Sequence, residues 1–294
     1  MTAKMMGPIR ATTHRFALGE AEVTTILDGV HQREGINPPF ATDMSDEQIA
    51  TTAAANNLPS HGFEHTYTPV VVNTGKELVL FDTGFGAGGR DSHAGLLRQR
   101  LAEVGYAPED IDVVAFTHCH PDHISGVMEG DAPAFPNARY AIGRKEFDTW
   151  KSGYGIPAQR AQNRELFLKL IPPLADRMTF LEDGDSVVPG LTAEAAFGHS
   201  LGHMMFRLES AGKSLLIWGD VTNHYVFSLQ HPESTLAFDD DKDAAKATRI
   251  RVLDMVANDG LLVAGHHMPF PSLGYVERSG GSYRWVPATY QLRV

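Results

Sequence analysis

The apolar positions of this chain fall into short continuous runs, interrupted by stretches in which apolar residues recur every three or four positions. EVTTILDG (Glu22–Gly29) is rich in β-branched residues and ends in a turn signal, which predicts an early strand. Ser45 with Gln48 fits a capping box ahead of a short helix, DEQIATTAAANN. YTPVVVNTGKELVLFDTG (Tyr67–Gly84) predicts two buried strands joined at Thr74-Gly75-Lys76. HAGLLRQRLAEVGY (His93–Tyr106) has helical spacing at Leu96, Leu97 and Leu101, with Gly105 as its stop. IDVVAFTH is a buried strand, and ARYAIG (Ala138–Gly143) is another. NRELFLKLIPPLADRM (Asn163–Met178) reads as a helix broken near Pro172-Pro173. LTAEAAFGH, HMMFRLES and KSLLIWGD alternate or run apolar as strands. FDDDKDAAKATRIRVLDMVANDG carries an amphipathic helix with acidic capping candidates at Asp239 to Asp241 and a stop at Gly260. LLVAG (Leu261–Gly265) is a strand, followed by HHMPFP.

Each half therefore has strands first and strand–helix alternation afterwards. No linker, low-complexity tract or short-period repeat divides them. The expectation is one α/β domain over residues 1–294, with two sheets and helices on the outer faces, residues 1–66 contributing an N-terminal strand and a flap.

Composition narrows the function classes. The chain has 294 residues, 43% hydrophobic and 21% charged, which is ordinary globular composition. Its single cysteine, Cys119, allows no intrachain disulfide and is compatible with a reducing compartment. A formal net charge of −11 argues against nucleic acid or an anionic membrane as partner. MTAKMMGPIRATTHRF has no apolar core of signal-peptide length, and no run approaches the roughly 18–20 apolar residues of a membrane span. These features predict a cytoplasmic protein with a small-molecule substrate; a homodimer is compatible with them.

The chemistry concentrates in AFTHCHPDHISG (Ala115–Gly126), where His118, His120, Asp122 and His123 form H-x-H-x-D-H. Imidazole nitrogen and carboxylate oxygen suit zinc and other borderline first-row metals. Four ligands in six residues are too close to surround one ion comfortably. A split into two sets is the easier geometry, His118 and His120 serving one ion, Asp122 and His123 the other. Other strand ends offer completions: His199 after LTAEAAFG, Asp220 after LLIWG, and His266 or His267 after LLVAG. A carboxylate can bridge two ions, which suits Asp220. Cys119 lies between ligands, but its side chain should point away from theirs in an extended segment.

THCHPDH (Thr117–His123), GHSLGH (Gly198–His203), WGD (Trp218–Asp220), HMPFP (His267–Pro271) and LVLFDTG (Leu78–Gly84) together resemble the metallo-β-lactamase superfamily. The resemblance implies a four-layer αββα sandwich with the metals at one edge, between two sheets. Asp220, where other branches carry cysteine, and His120, where others carry glutamate, point to the dinuclear hydrolase branch. The tail HHMPFPSLGYVERSGGSYRWVPATY resembles the branch of methyl parathion hydrolases and acyl-homoserine-lactone lactonases, and that likeness selects His267 over His266. It also assigns Asp122 a proton-shuttling role.

The expected function is that of a hydrolase with two divalent metal ions, zinc first and manganese, cobalt or iron(II) also accepted. A shared hydroxide would attack a lactone, ester or phosphotriester. Asn223 or His224 is placed to bond the substrate's oxygen. His203 should orient His199 or its loop, and Asp82 should be a structural acceptor holding the metal loop. Phe40, Phe63, Tyr154, Phe227 and Phe270 are candidates for an apolar cleft. The competing readings are a mononuclear iron oxidoreductase acting on a thiol or persulfide, a β-lactam hydrolase, and a binding module that keeps the fold.

Overall fold

The computed structural model describes residues 3–59, 62–288 and 291–294. Two seven-stranded sheets carry it. The first runs Thr13–Leu18, Ala21–Ile26, Val70–Asn73, Leu78–Phe81, Val113–Ala115, Arg139–Gly143 and Met178–Leu181 in spatial order. Its early strands pair antiparallel; from Leu78–Phe81 onward they are parallel. The second sheet follows chain order from Ser186–Val188 to Ser282–Pro287. It is antiparallel except where Lys213–Ile217 pairs with Leu262–Ala264, the crossover being the helix Lys242–Asp259.

The central strands are apolar on both sides because both sides are covered. Val79, Phe81, Val113 and Ala115 face the second sheet and pack with Phe206, Leu215 and Ile217. Their alternate neighbours Leu78, Leu80, Val114 and Phe116 face outward. There they meet the helices Leu97–Glu103, Arg144–Ser152 and Ala161–Leu170 through Leu97, Leu101, Phe147, Trp150 and Phe167. Beyond the second sheet, Val252, Leu253 and Val256 of the long helix pack on Leu216, Trp218 and Val263. This is the αββα sandwich.

The helix ends follow local chemistry. Ser45 accepts from Gln48 N while the Gln48 side chain accepts from Ser45 N, so the expected capping box forms. Asp241 caps the long helix, which stops at Gly260 with φ +60°. Only Asp241 of the three acidic candidates is a cap; Asp239 and Asp240 serve the site. The helix at 163–178 breaks at Pro172 into a 3-10 turn, as the prolines require. The helix Arg144–Ser152 was not anticipated from the pattern. Nor was the closing hairpin Leu273–Ser279 with Ser282–Pro287, whose Gly280-Gly281 turn was its available signal. A separate two-stranded antiparallel sheet pairs Gly29–Arg33 with Phe63–Tyr67, in the segment read as the flap. No helix among the described residues is long and apolar enough to cross a membrane.

Candidate metal centre

Each proposed ligand segment leaves a strand at the same edge of the sandwich. His118 follows Val113–Ala115, His199 follows Leu191–Ala195, Asp220 follows Lys213–Ile217, and His267 follows Leu262–Ala264. Folding thus brings four distant segments together. The donor atoms of His118, His120 and His199 lie within 4.8 Å of one another, as do those of Asp122, His123, His266 and His267. A third group, His118, His123 and Asp220, joins the two.

Asp220 sits at the junction. Its Oδ2 is 3.2 Å from His199 Nε2, 2.9 Å from His267 Nε2 and 4.0 Å from His118 Nε2. Its Oδ1 is 3.4 Å from His123 Nε2. Burial pushes the Asp220 carboxyl up, but His267, His123 and His199 outweigh it and hold the group well below the ordinary carboxylate range.

Neighbours decide which imidazole nitrogen faces the cluster. Asp82 accepts from Thr117 N at 2.9 Å, from Thr117 Oγ1 at 2.8 Å and from His123 Nδ1 at 2.8 Å. His118 Nδ1 lies 3.0 Å from Thr117 Oγ1. Because that hydroxyl donates to Asp82, it accepts from His118. Both histidines therefore carry their protons on Nδ1 and turn bare Nε2 atoms inward, and these atoms are buried without partners. Asp82 thus acts as the expected structural acceptor, from a left-handed backbone position at φ +60°. His267 Nδ1 donates to Thr66 O at 2.9 Å, freeing its Nε2 in the same way. His120 turns Nε2 toward Asp240 at 3.5 Å and Nδ1 toward His199 Nε2 at 3.0 Å.

His199 is oriented by Asp239, whose Oδ1 lies 2.9 Å from His199 Nδ1. Asp239 Oδ2 in turn accepts from the buried Arg249 at 2.9 Å. The sequence reading gave this orienting role to His203. In the structure His203 Nε2 instead accepts from Asp220 N at 3.0 Å, so it positions the Asp220 loop. Asp239→Ala is expected to weaken metal affinity by about 10- to 100-fold, the usual cost of losing a ligand's orienting partner; competition with a chromophoric chelator measures it, and unchanged affinity would refute the assignment.

His266 and His267 both enter the second donor set, but they differ. His267 Nε2 approaches Asp220 and also lies 3.5 Å from Asp122 Oδ2. The His266 ring lies tilted against the His123 ring with centres 4.1 Å apart, and its buried Nε2 has no partner.

Two further residues were missed. Glu146, buried on the unanticipated helix, accepts from Cys119 N at 2.7 Å, Gly202 N at 2.9 Å, Ser200 Oγ at 2.6 Å and Trp150 Nε1 at 2.8 Å. It clasps the loops that carry His118, His120 and His199. Arg160 donates to Asp240 at 2.7 Å. Cys119 packs in the outer apolar cluster, and burial pushes its thiol well up, which leaves it away from the ligands as expected.

The remaining candidates divide between two cavities and the core. Asn223 Nδ2 is committed to Asp220 Oδ2 at 2.8 Å. His224 Nδ1 accepts from Val226 N and Phe227 N, and burial lowers its pKa to about 3. Neither lines the small cavity in front of the metal ligands; both line a larger adjoining cavity of about 830 Å³ that also reaches His267. Tyr154 is 88% exposed, and Phe40 and Phe227 belong to an apolar cluster under the flap. Phe63 and Phe270 line the larger cavity, as expected of an apolar cleft, while the aromatic walls of the small one are Phe85, Phe238 and Tyr67.

The donor set fits cations. Bare nitrogens of His118 and His123 lie buried beside an unpartnered Asp220 Oδ1. The His120–His199 approach sets two nitrogens 3.0 Å apart while the opposite nitrogen of each ring faces a carboxylate. A cation between such lone pairs removes their repulsion.

Fold and site together define a metal-binding αββα protein. A model of the metallo-beta-lactamase superfamily matches residues 64–267, and the chain belongs to that superfamily. An N-acyl homoserine lactonase from Bacillus cereus is 32% identical over 119 residues, 40% of this chain and 40% of that protein. The match thus spans less than half of that curated relative. The crystal structure of hydrolase AbOPH in the beta lactamase superfamily aligns with TM-score 0.89 and 27% identity, covering 97% of this chain and 100% of that chain. AidC, a dizinc quorum-quenching lactonase in complex with a product, aligns with TM-score 0.86 and 24% identity over 95% of this chain and 98% of that one.

Proposed function

We propose that the protein is a metal-dependent hydrolase of lactones or esters, holding two divalent cations that share Asp220. The carrying observation is the pairing of donor sets around that one carboxylate. His118, His120, His199 and Asp220 would hold one ion; Asp122, His123, His267 and Asp220 would hold the other. Zinc suits this nitrogen-rich set best, with manganese, cobalt and iron(II) also accepted. When bound, two such ions supply a water acidified toward hydroxide near neutral pH and a Lewis acid for the electrophile's oxygen.

The chain's own residues do the rest. Asp82, Thr66 and Asp239 fix the ligand tautomers before substrate arrives. Asp122 reaches the pocket wall with its Oδ2 3.5 Å from both His123 Nε2 and His267 Nε2, a position from which it can carry a proton to the leaving oxygen. Phe85 and Phe238 add apolar surface to the cavity lining. Lactone or ester is preferred over phosphotriester and β-lactam because the lactonase from Bacillus cereus is among the similar curated proteins. Asp122 and His123 falling into a donor set with His267 favours two ions over the single iron of an oxidoreductase.

Elemental analysis of purified protein should find two equivalents of metal per chain. A screen of lactones, aryl esters, phosphotriesters and β-lactams should find turnover of the first two, abolished by chelation and restored by zinc. One redox-active iron per chain, or turnover that survives complete chelation, would defeat this reading.

A further inference from the structure

The cavity in front of the ligands, about 200 Å³, is lined by two guanidinium groups as well as by the donors. They are not equivalent. Arg160 is neutralised by Asp240 at 2.7 Å. Arg33, half-buried at the end of the flap strand Gly29–Arg33, has no carboxylate within 4.0 Å among the described residues. One Nη donates to the Tyr67 hydroxyl at 3.3 Å, and the guanidinium lies 5.7 Å from the centre of the Phe238 ring. Its Nε is buried with no partner. A cation held so, its Nε without an acceptor and no carboxylate beside it, stays under-compensated until a ligand brings negative charge to the part of the guanidinium that lines the cavity. The planar fork of arginine matches a carboxylate best. The chain's net charge of −11 does not decide the pocket's own balance: its lining sets Arg33 and Arg160 beside Asp122 and Asp220, and metals bound by those carboxylates would leave Arg33 as an added positive charge.

We propose that Arg33, positioned by Tyr67 and Phe238, is a specificity residue that binds a carboxylate on the substrate remote from the scissile bond. The substrate is then a singly charged acidic ester or lactone. This rests on the hydrolase reading above and deepens it.

The test uses zinc-loaded full-length protein and aryl monoesters of glutaric acid, beside the same esters with the far carboxylate methylated. Wild type should prefer the free acid by about 10- to 100-fold in kcat/KM, the range set by a charge-assisted bond. Arg33→Met should erase that preference, leave turnover of the methylated ester within about threefold, and keep metal content and melting temperature. Preference for the methylated ester in wild type, or equal losses on both esters in the variant, overturns the proposal. If wild type cleaves neither ester, the hydrolase reading fails separately. Calorimetric binding of free glutarate then decides: an affinity about tenfold weaker in Arg33→Met supports the role of Arg33, and equal affinity overturns it.

Discussion

Asp220→Ala is expected to abolish measurable hydrolysis, a loss of about a thousandfold or more in kcat/KM, on the scale seen when a group organising transition-state charge is removed. The geometry makes this the most damaging single change. The two oxygens of Asp220 approach imidazole nitrogens of His118, His123, His199 and His267, drawn from three other segments of the chain. No other donor touches both sets so evenly. Without it, the buried rings face one another with no negative charge among them, and metal content should fall from two equivalents to one or fewer. Asp220→Asn keeps the shape but loses the charge, so it should retain part of the metal and little of the rate. The fold should survive both changes, because Asp220 contributes nothing to the three large apolar clusters; circular dichroism checks this. Retention of two metals and full activity in Asp220→Ala would remove the basis for a shared centre.

Legibility in the sequence followed the range of the interactions. The buried central strands were readable because apolar packing on both sides leaves no polar position to interrupt the run, as in VVVN and LVLF. Caps were readable because they are local: Ser45 bonds a residue three positions away. The donor residues were readable because chemistry restricts metal ligands to few side chains. Orientation was not. Asp239 looked like a helix cap, and its engagement with His199 across 40 positions has no local signature. His203 stands in the same motif as His199, yet its partner is Asp220 N, 17 positions away. The flap misled in another way. Phe40 and Phe227 were read as pocket walls, but burial against Phe63 and Leu236 makes them core, while Arg33 and Tyr67, polar residues on a two-stranded sheet, carried no pattern that placed them before the ligands. Glu146 was invisible because a lone acidic residue on a short helix usually faces solvent.

Glu146→Leu should be the most destabilising substitution outside the donor set. One carboxylate meets four buried donors, on Cys119, Ser200, Gly202 and Trp150. Each unsatisfied buried donor costs about 1–3 kcal/mol, and such losses are not additive within one network. A net loss of about 4 kcal/mol follows, and at roughly 2–4 °C per kcal/mol the melting temperature should drop by about 10 °C. Metal affinity should fall too, since the clasped loops carry three of the histidines. The charge adds a pH signature. Burial raises the Glu146 carboxyl above its ordinary range, ahead of the hydrogen bonds from Ser200 and Cys119 that lower it. A folded-state value raised above the unfolded one contributes stability that is present in acid and lost as pH rises through the raised value. Glu146→Gln, with nothing to ionise, should therefore lose less stability than wild type as pH rises above the ordinary carboxylate range, although its amide cannot accept from all four donors. Thermal melts over that rise in pH in both proteins read the difference. Parallel pH profiles would show that the carboxylate is ionised in the folded protein at no cost, its four donors fully offsetting its burial.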